Sequence, residues 1–123
     1  MTYEIRDEII EEFEHYTQYL YTLTIETEDG NEIEAGWAYV AEATEEGLEH
    51  GNLYSVEITN LDVDEEYRNH GLGTKIIKRI VNDLGVAAIT PCNADNERLY
   101  ARLGRKIDDR GLQGGTGVYS IAL

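Results

Sequence analysis

The sequence predicts a mixed α/β domain, α+β-like, with a mostly antiparallel sheet and one β-α-β unit at its centre. Three observations predict it. Apolar residues alternate over two long runs in the first half. A third β run enters a Gly-x-Gly turn and then a stretch of helical period. The short apolar run "VAAIT" follows, the pattern of a strand buried in a parallel pair. With 123 residues the chain can bury one core, and a single domain over residues 1–123 is expected.

The elements read in order as α-β-β-β-α-β-α-β-β. In "RDEIIEEFEHY", Ile9, Ile10 and Phe13 form one stripe among acids, which predicts a short amphipathic helix. Tyr19, Tyr21, Leu23 and Ile25 alternate, "EDGN" supplies a turn, and Ile33, Ala35, Trp37, Tyr39 and Ala41 alternate again. That is a β-hairpin. "TEEGLEHGN" reads as a loop and residues 53–63 as a third strand. From Gly71 onward Leu72, Ile76, Ile77, Ile80, Val81 and Leu84 recur at helical spacing, and Gly85 stands where a helix stops. Residues 86–90 form the buried strand, reached by a right-handed crossover. "NADNERLYARLG" reads as a helix ending at Gly104, and "RKIDDR" and "VYSIAL" as closing strands around the loop "GLQGGTG".

Composition narrows the function classes. The formal net charge is −15. Residues 1–50 hold fifteen Asp/Glu against Arg6 alone, whereas residues 51–123 are nearly balanced with ten acids and nine bases. The first half therefore attracts cations and the second tolerates an anion; solubility or adaptation to salt accounts for the acidity equally well. A partner held through nucleic-acid phosphates is not expected. No run of 18 apolar residues is present, so no membrane span is expected, and "MTYEIRDEII" lacks the regions of a signal peptide. The lone Cys92 fits a reducing, cytoplasmic setting and reads best as a small buried thiol. His15, His50 and His70 show no spacing that makes a metal site or a triad.

The Gly-x-Gly turn points to an anion. Gly71 and Gly73 let backbone approach a ligand, and the next helical turn presents unpaired N–H groups. A dinucleotide fingerprint would need glycine where Ile76 stands, and a P-loop would need Gly-Lys-Ser/Thr where Thr74, Lys75 and Ile76 stand. "LDVDEEYRNHGLGT" resembles the acetyl-CoA signature of the GNAT N-acetyltransferases through Leu61, Val63, Arg68, Gly71 and Gly73. "NADNERLYARLG" is similar to that family's second motif through Asn93, Tyr100 and Gly104. The two motifs and the strands around them span residues 53–105. The sequence departs from the family at Arg105, where an aromatic commonly follows the glycine. It departs also in a short N-terminal region that offers one helix where two are usual, leaving the acceptor groove more open.

The resemblance implies the GNAT fold, acetyl-CoA as cofactor, and an amine acceptor. It implies that the pyrophosphate sits on the backbone N–H groups of Asn69, His70, Gly71, Leu72, Gly73 and Thr74, with Arg68 bracing the loop or meeting a phosphate. Val63 would polarise the thioester carbonyl through its N–H, and Asn93 would bond the pantetheine or cap its helix. Tyr100 would protonate the departing thiolate. Some protein-acetylating relatives carry a base-like glutamate at the place of Glu57. Plain alternation would put Glu57, Thr59, Leu61 and Val63 on one face, with Glu57 as base for the amine. The acidic first half makes the acceptor a cation: a lysine of a basic protein, a polyamine or another basic amine. The alternative is an acidic protein-binding module that keeps the fold without turnover. Edge strands at the C-terminal hairpin leave monomer and homodimer both open.

Overall fold

The computed structural model describes residues 2–50, 54–90, 94–108 and 118–122. Its elements are β1 (Thr2–Glu12), β2 (Tyr16–Glu26), β3 (Glu32–Ala43), α1 (Glu45–Glu49), β4 (Val56–Val63), α2 (Leu72–Leu84), β5 (Ala87–Ile89), α3 (Ala94–Leu103), β6 (Arg105–Asp108) and β7 (Val118–Ile121). The strands form a seven-stranded sheet in the order β1-β2-β3-β4-β5-β7-β6. Only the β4–β5 pair is parallel. The expected mostly antiparallel sheet with its β-α-β crossover is thus observed. Among the described residues no helix is long and apolar enough to cross a membrane.

The N-terminal expectation was wrong. Residues 2–12 form an edge strand, not a helix, paired to β2 from Thr2↔Glu26 to Glu12↔Thr17. The Ile9, Ile10, Phe13 stripe is too short to stabilise a helix alone. Alternating Tyr3, Ile5, Asp7 and Ile9 instead align with Ile25, Leu23, Tyr21 and Tyr19 of β2, and sheet pairing wins. No helix therefore precedes β2 among the described residues, where one was expected. The "TEEGLEHGN" loop in turn contains α1. Thr44 caps it by accepting the Gly47 N–H at 3.1 Å, with Glu45 and Glu46 favourably placed in the first turn. The "GLQGGTG" loop lies outside the described residues.

The register settles which residues share a face. Tyr21, Leu23 and Ile25 of β2, Ala38 and Val40 of β3, and Val56 and Ile58 of β4 are buried in the core, with Ile76, Ile77 and Ile80 of α2. A bulge at Ala35 places Ala35 and Gly36 on this core face and moves Trp37, Tyr39 and Ala41 to the other. Both long helices lie on the core face. α2 reaches it through Tyr21, whose hydroxyl donates to Asp83 at 3.1 Å, and through Arg79, whose guanidinium donates to the Ile5 carbonyl at 2.9 Å. α3 reaches it through the Tyr119 hydroxyl, which donates to Glu97 at 3.1 Å. Burial, with Asp83 alongside, pushes the Tyr21 phenol well above its ordinary range. Gly104 ends α3 where a Cβ would run into the Ser120 carbonyl of β7. Arg105, in the place of the family's aromatic, pairs with Ser120.

Candidate active site

The parallel β4–β5 pairing is short. It comprises Glu57↔Ala88 and Ile58↔Ile89, and beyond Ile58 no further pair joins the two strands among the described residues. β4 continues to Val63, so a gap opens beside its second half. The Asp64 N–H donates to the Ala35 carbonyl at 2.8 Å, toward β3. Successive amides of a strand point to opposite sides, so the Val63 N–H points away from β3 and into the gap. Arg68 fixes this strand end, with Nε donating to the Val63 carbonyl at 2.9 Å and a 3.4 Å ion pair to Asp62.

The turn into α2 has the backbone the sequence suggested. Gly71 takes φ +74°, a left-handed conformation that glycine enters without strain, and Asn69 takes φ +67°. Gly71 is the N-cap of α2 and offers no side chain to its first turn, which also holds no acidic residue. The first intrahelical bond runs from the Lys75 N–H to the Gly71 carbonyl at 3.1 Å. The preceding N–H groups at Leu72, Gly73 and Thr74 therefore face outward from the positive end of a 13-residue helix.

A cavity of about 650 Å³ lies against this end. Leu61 and Val63 line it from β4, Arg68 and Asn69 from the turn, and residues 71–74 from α2. Tyr100 lines it from α3, and its side chain is buried, 3 % exposed. The structure thus brings together all but two of the residues expected to hold the cofactor. His70 is exposed and does not line the cavity. Asn93, with Cys92, lies outside the described residues. Leu72 and Thr74 line it as well as the two glycines. Sequence reasoning missed Asp62, Asn96, Leu99 and Arg102. Asn96 stands one helical turn before Tyr100, a spacing that could have shown it.

Glu57, expected as the base on the face of Val63, is a correction. A bulge at Thr59 inserts an extra residue between the pairs Tyr39↔Asn60 and Val40↔Ile58. It reverses the alternation along β4, so Leu61 and Val63 share the core face with Ile58 while Glu57 stands opposite Ala41 on the far face. Glu57 is half-buried, and burial alone raises its carboxyl above the usual value of 4.5. It sits at the root of the gap, where β4 and β5 last pair.

The geometry suits a pyrophosphate-bearing thioester. Uncapped N–H groups at the start of α2 suit an anion, an apolar wall of Leu61, Val63 and Leu99 suits an alkyl arm, and an inward amide suits a carbonyl.

Comparison with known proteins agrees. The NatC complex, solved with Gag peptide and CoA, is similar at a TM-score of 0.59 and 17% identity, covering 85% of this chain and 70% of that one. Arabidopsis thaliana NAA60, solved with a bisubstrate analogue, is similar at 0.50 and 16% identity over 89% of this chain and 77% of that one. The AtaT toxin, solved as a tyrosine-to-phenylalanine mutant with the AtaR C-terminus and acetyl-CoA, is similar at 0.56 and 10% identity, covering 87% and 68%. No curated protein matches the chain in sequence. The family model described as "Acetyltransferase (GNAT) family" matches residues 2–104. The chain therefore belongs to the GNAT acetyltransferase family, as an N-acetyltransferase whose cofactor is acetyl-CoA.

Proposed function

We propose that the protein moves an acetyl group from acetyl-CoA to a cationic primary amine by direct attack in a ternary complex. The observation that carries this reading is the Val63 amide, aimed into the gap between β4 and β5 beside the uncapped start of α2. Bound there, acetyl-CoA supplies an acetyl group activated as a thioester. The Val63 N–H donates to a carbonyl oxygen in the gap, a role worth roughly 10²–10³-fold when such a donor is removed. Tyr100 holds a phenolic proton at the cavity wall for the leaving sulfur. Glu57 accepts the amine proton through its carboxylate from the far face, so amine and cofactor approach the gap from opposite sides.

The acceptor class rests on charge. Residues 1–50 carry fifteen acids and one base, and β3, built from them, pairs with β4 next to the gap. Peptide-bound neighbours such as the NatC complex favour a polypeptide acceptor over a small one. One neighbour, KacTA, is solved as a DNA complex at 12% identity. A net charge of −15 opposes a phosphate partner for this chain on its own.

The test is thiol release from acetyl-CoA against a panel of lysine peptides, polyamines and neutral amines. Amine-dependent release supports the reading. Binding of acetyl-CoA with no release for any amine would instead make the chain an acidic binding module.

A further inference from the structure

The sheet has a second face on which neither α2 nor α3 packs. On β2, β3 and β4 every buried core residue lies on the other side. At the centre of this second face stand Leu20, Trp37 and Tyr39, all half-buried and none part of the core. Leu20 pairs across to Tyr39, and Thr22 to Trp37. The two aromatic rings meet edge to face with centroids 5.2 Å apart. Around them the same register places Glu4, Glu8, Glu32, Glu34 and Glu57. Arg6 is the basic residue of β1–β4 on this face, already held by Glu4 at 3.1 Å and Glu32 at 3.9 Å.

We infer that this face is the docking surface for a basic polypeptide segment whose lysine reaches the gap at Glu57. The inference rests on the acetyl-transfer reading above and names its substrate class. An aromatic centre inside an acidic rim complements a strand or tail that carries Lys and Arg. Their stems pack on Leu20 and the rings, their cations lie over Trp37 and Tyr39, and their remaining charge meets the glutamates. A second copy of this chain is the poorer occupant, because it would set the same glutamates against each other at −15 per chain. The face also leads to the chemistry, since Tyr39, Ala41 and Glu57 adjoin along β3 and β4.

Trp37 is the chain's single tryptophan, so its emission reports on this face directly. The experiment titrates an oligolysine peptide into the full chain and follows that emission. In parallel it measures acetyl transfer to oligolysine and to a small monoamine such as butylamine. Oligolysine should change the emission saturably, and added salt should weaken the effect. Tyr39→Ala should weaken peptide binding roughly tenfold, while acetyl-CoA affinity and kcat at saturating butylamine hold. Glu8→Lys with Glu34→Lys, both exposed and distant from the core, should do the same if Tyr39→Ala disturbs folding. Unchanged emission, or equal peptide binding by wild type and both variants, would overturn the inference. So would sedimentation showing that two copies close over this face. Butylamine acetylation without oligolysine binding sinks only the docking surface. Oligolysine binding with no acetylation of any amine sinks the acetyl-transfer reading instead.

Discussion

Asp64 donates its backbone N–H to the Ala35 carbonyl at 2.8 Å, and this bond turns the neighbouring Val63 amide into the gap between β4 and β5. A donor held by strand pairing needs no reorganisation when a carbonyl arrives. Arg68 adds to its rigidity by holding the Val63 carbonyl. The site is therefore built from backbone on one side, the Val63 amide and the α2 start, and from the Tyr100 side chain on the other.

Tyr100→Phe keeps the buried ring and removes the hydroxyl. We expect kcat to fall roughly 10²–10⁴-fold with acetyl-CoA affinity nearly unchanged, measured by thiol release and calorimetry. Unaltered turnover would assign Tyr100 to packing alone.

Glu57 gives a pH signature. Its carboxyl is raised above 4.5 by burial, and the protonated form cannot accept the amine proton. kcat/KM should therefore fall as pH drops through that raised value, and Glu57→Gln should abolish this limb. The amine's own limb lies far higher, near pKa ~10 for a lysine. Stability moves the opposite way. A raised carboxyl favours the folded state below the unfolded value, and that contribution is lost as pH rises through the folded one. Glu57→Gln should thus raise Tm at neutral pH while lowering activity. Loss of both would mean a structural carboxylate.

Gly104→Ala should destabilise without touching the cavity. A Cβ there meets the Ser120 carbonyl of β7, and backbone yields poorly. Overpacking of this kind costs about 1–3 kcal/mol, readable as a fall in Tm of roughly 2–8 °C per kcal/mol. A Tm equal to wild type would show that α3 and β7 can separate freely.

Salt should separate acceptors by charge. With acetyl-CoA saturating, kcat/KM for a cationic acceptor should fall as salt rises to physiological strength, where screening acts within about 8 Å. A neutral amine should show little change. Glu32→Gln with Glu34→Gln should flatten the response and raise KM for the cation. A flat response in the wild type would tie the acidity to solubility or salt tolerance.

Much of this was legible in the sequence because the glycine turn before α2 is a local device. Gly71, Gly73, Arg68 and the period of α2 fix it within a few residues. Tyr100 was legible through its fixed offset from Gly104. What failed depended on partners distant in the chain. The N-terminal segment has a helical stripe at Ile9, Ile10 and Phe13, and only the open edge of β2 makes residues 2–12 a strand. Glu57 was placed on the face of Val63 because alternation has no memory of an insertion. The bulge at Thr59 is visible only once β3 lies beside β4. The bulge at Ala35 likewise hid the fact that Trp37 and Tyr39 leave the core.

The most direct test of the account is calorimetric titration of acetyl-CoA into the wild type and into Gly71→Glu. The site at the start of α2 predicts one-site binding by the wild type. A ligand present at ~100 times its dissociation constant should then stabilise the fold by about 2.7 kcal/mol. Gly71→Glu places a carboxylate where the phosphates would lie and forces a side chain into a backbone with φ +74°. It should abolish the heat of binding, with circular dichroism confirming that the fold persists. Equal binding by a folded Gly71→Glu variant, or no binding by the wild type, would contradict the assignment of this cavity to acetyl-CoA.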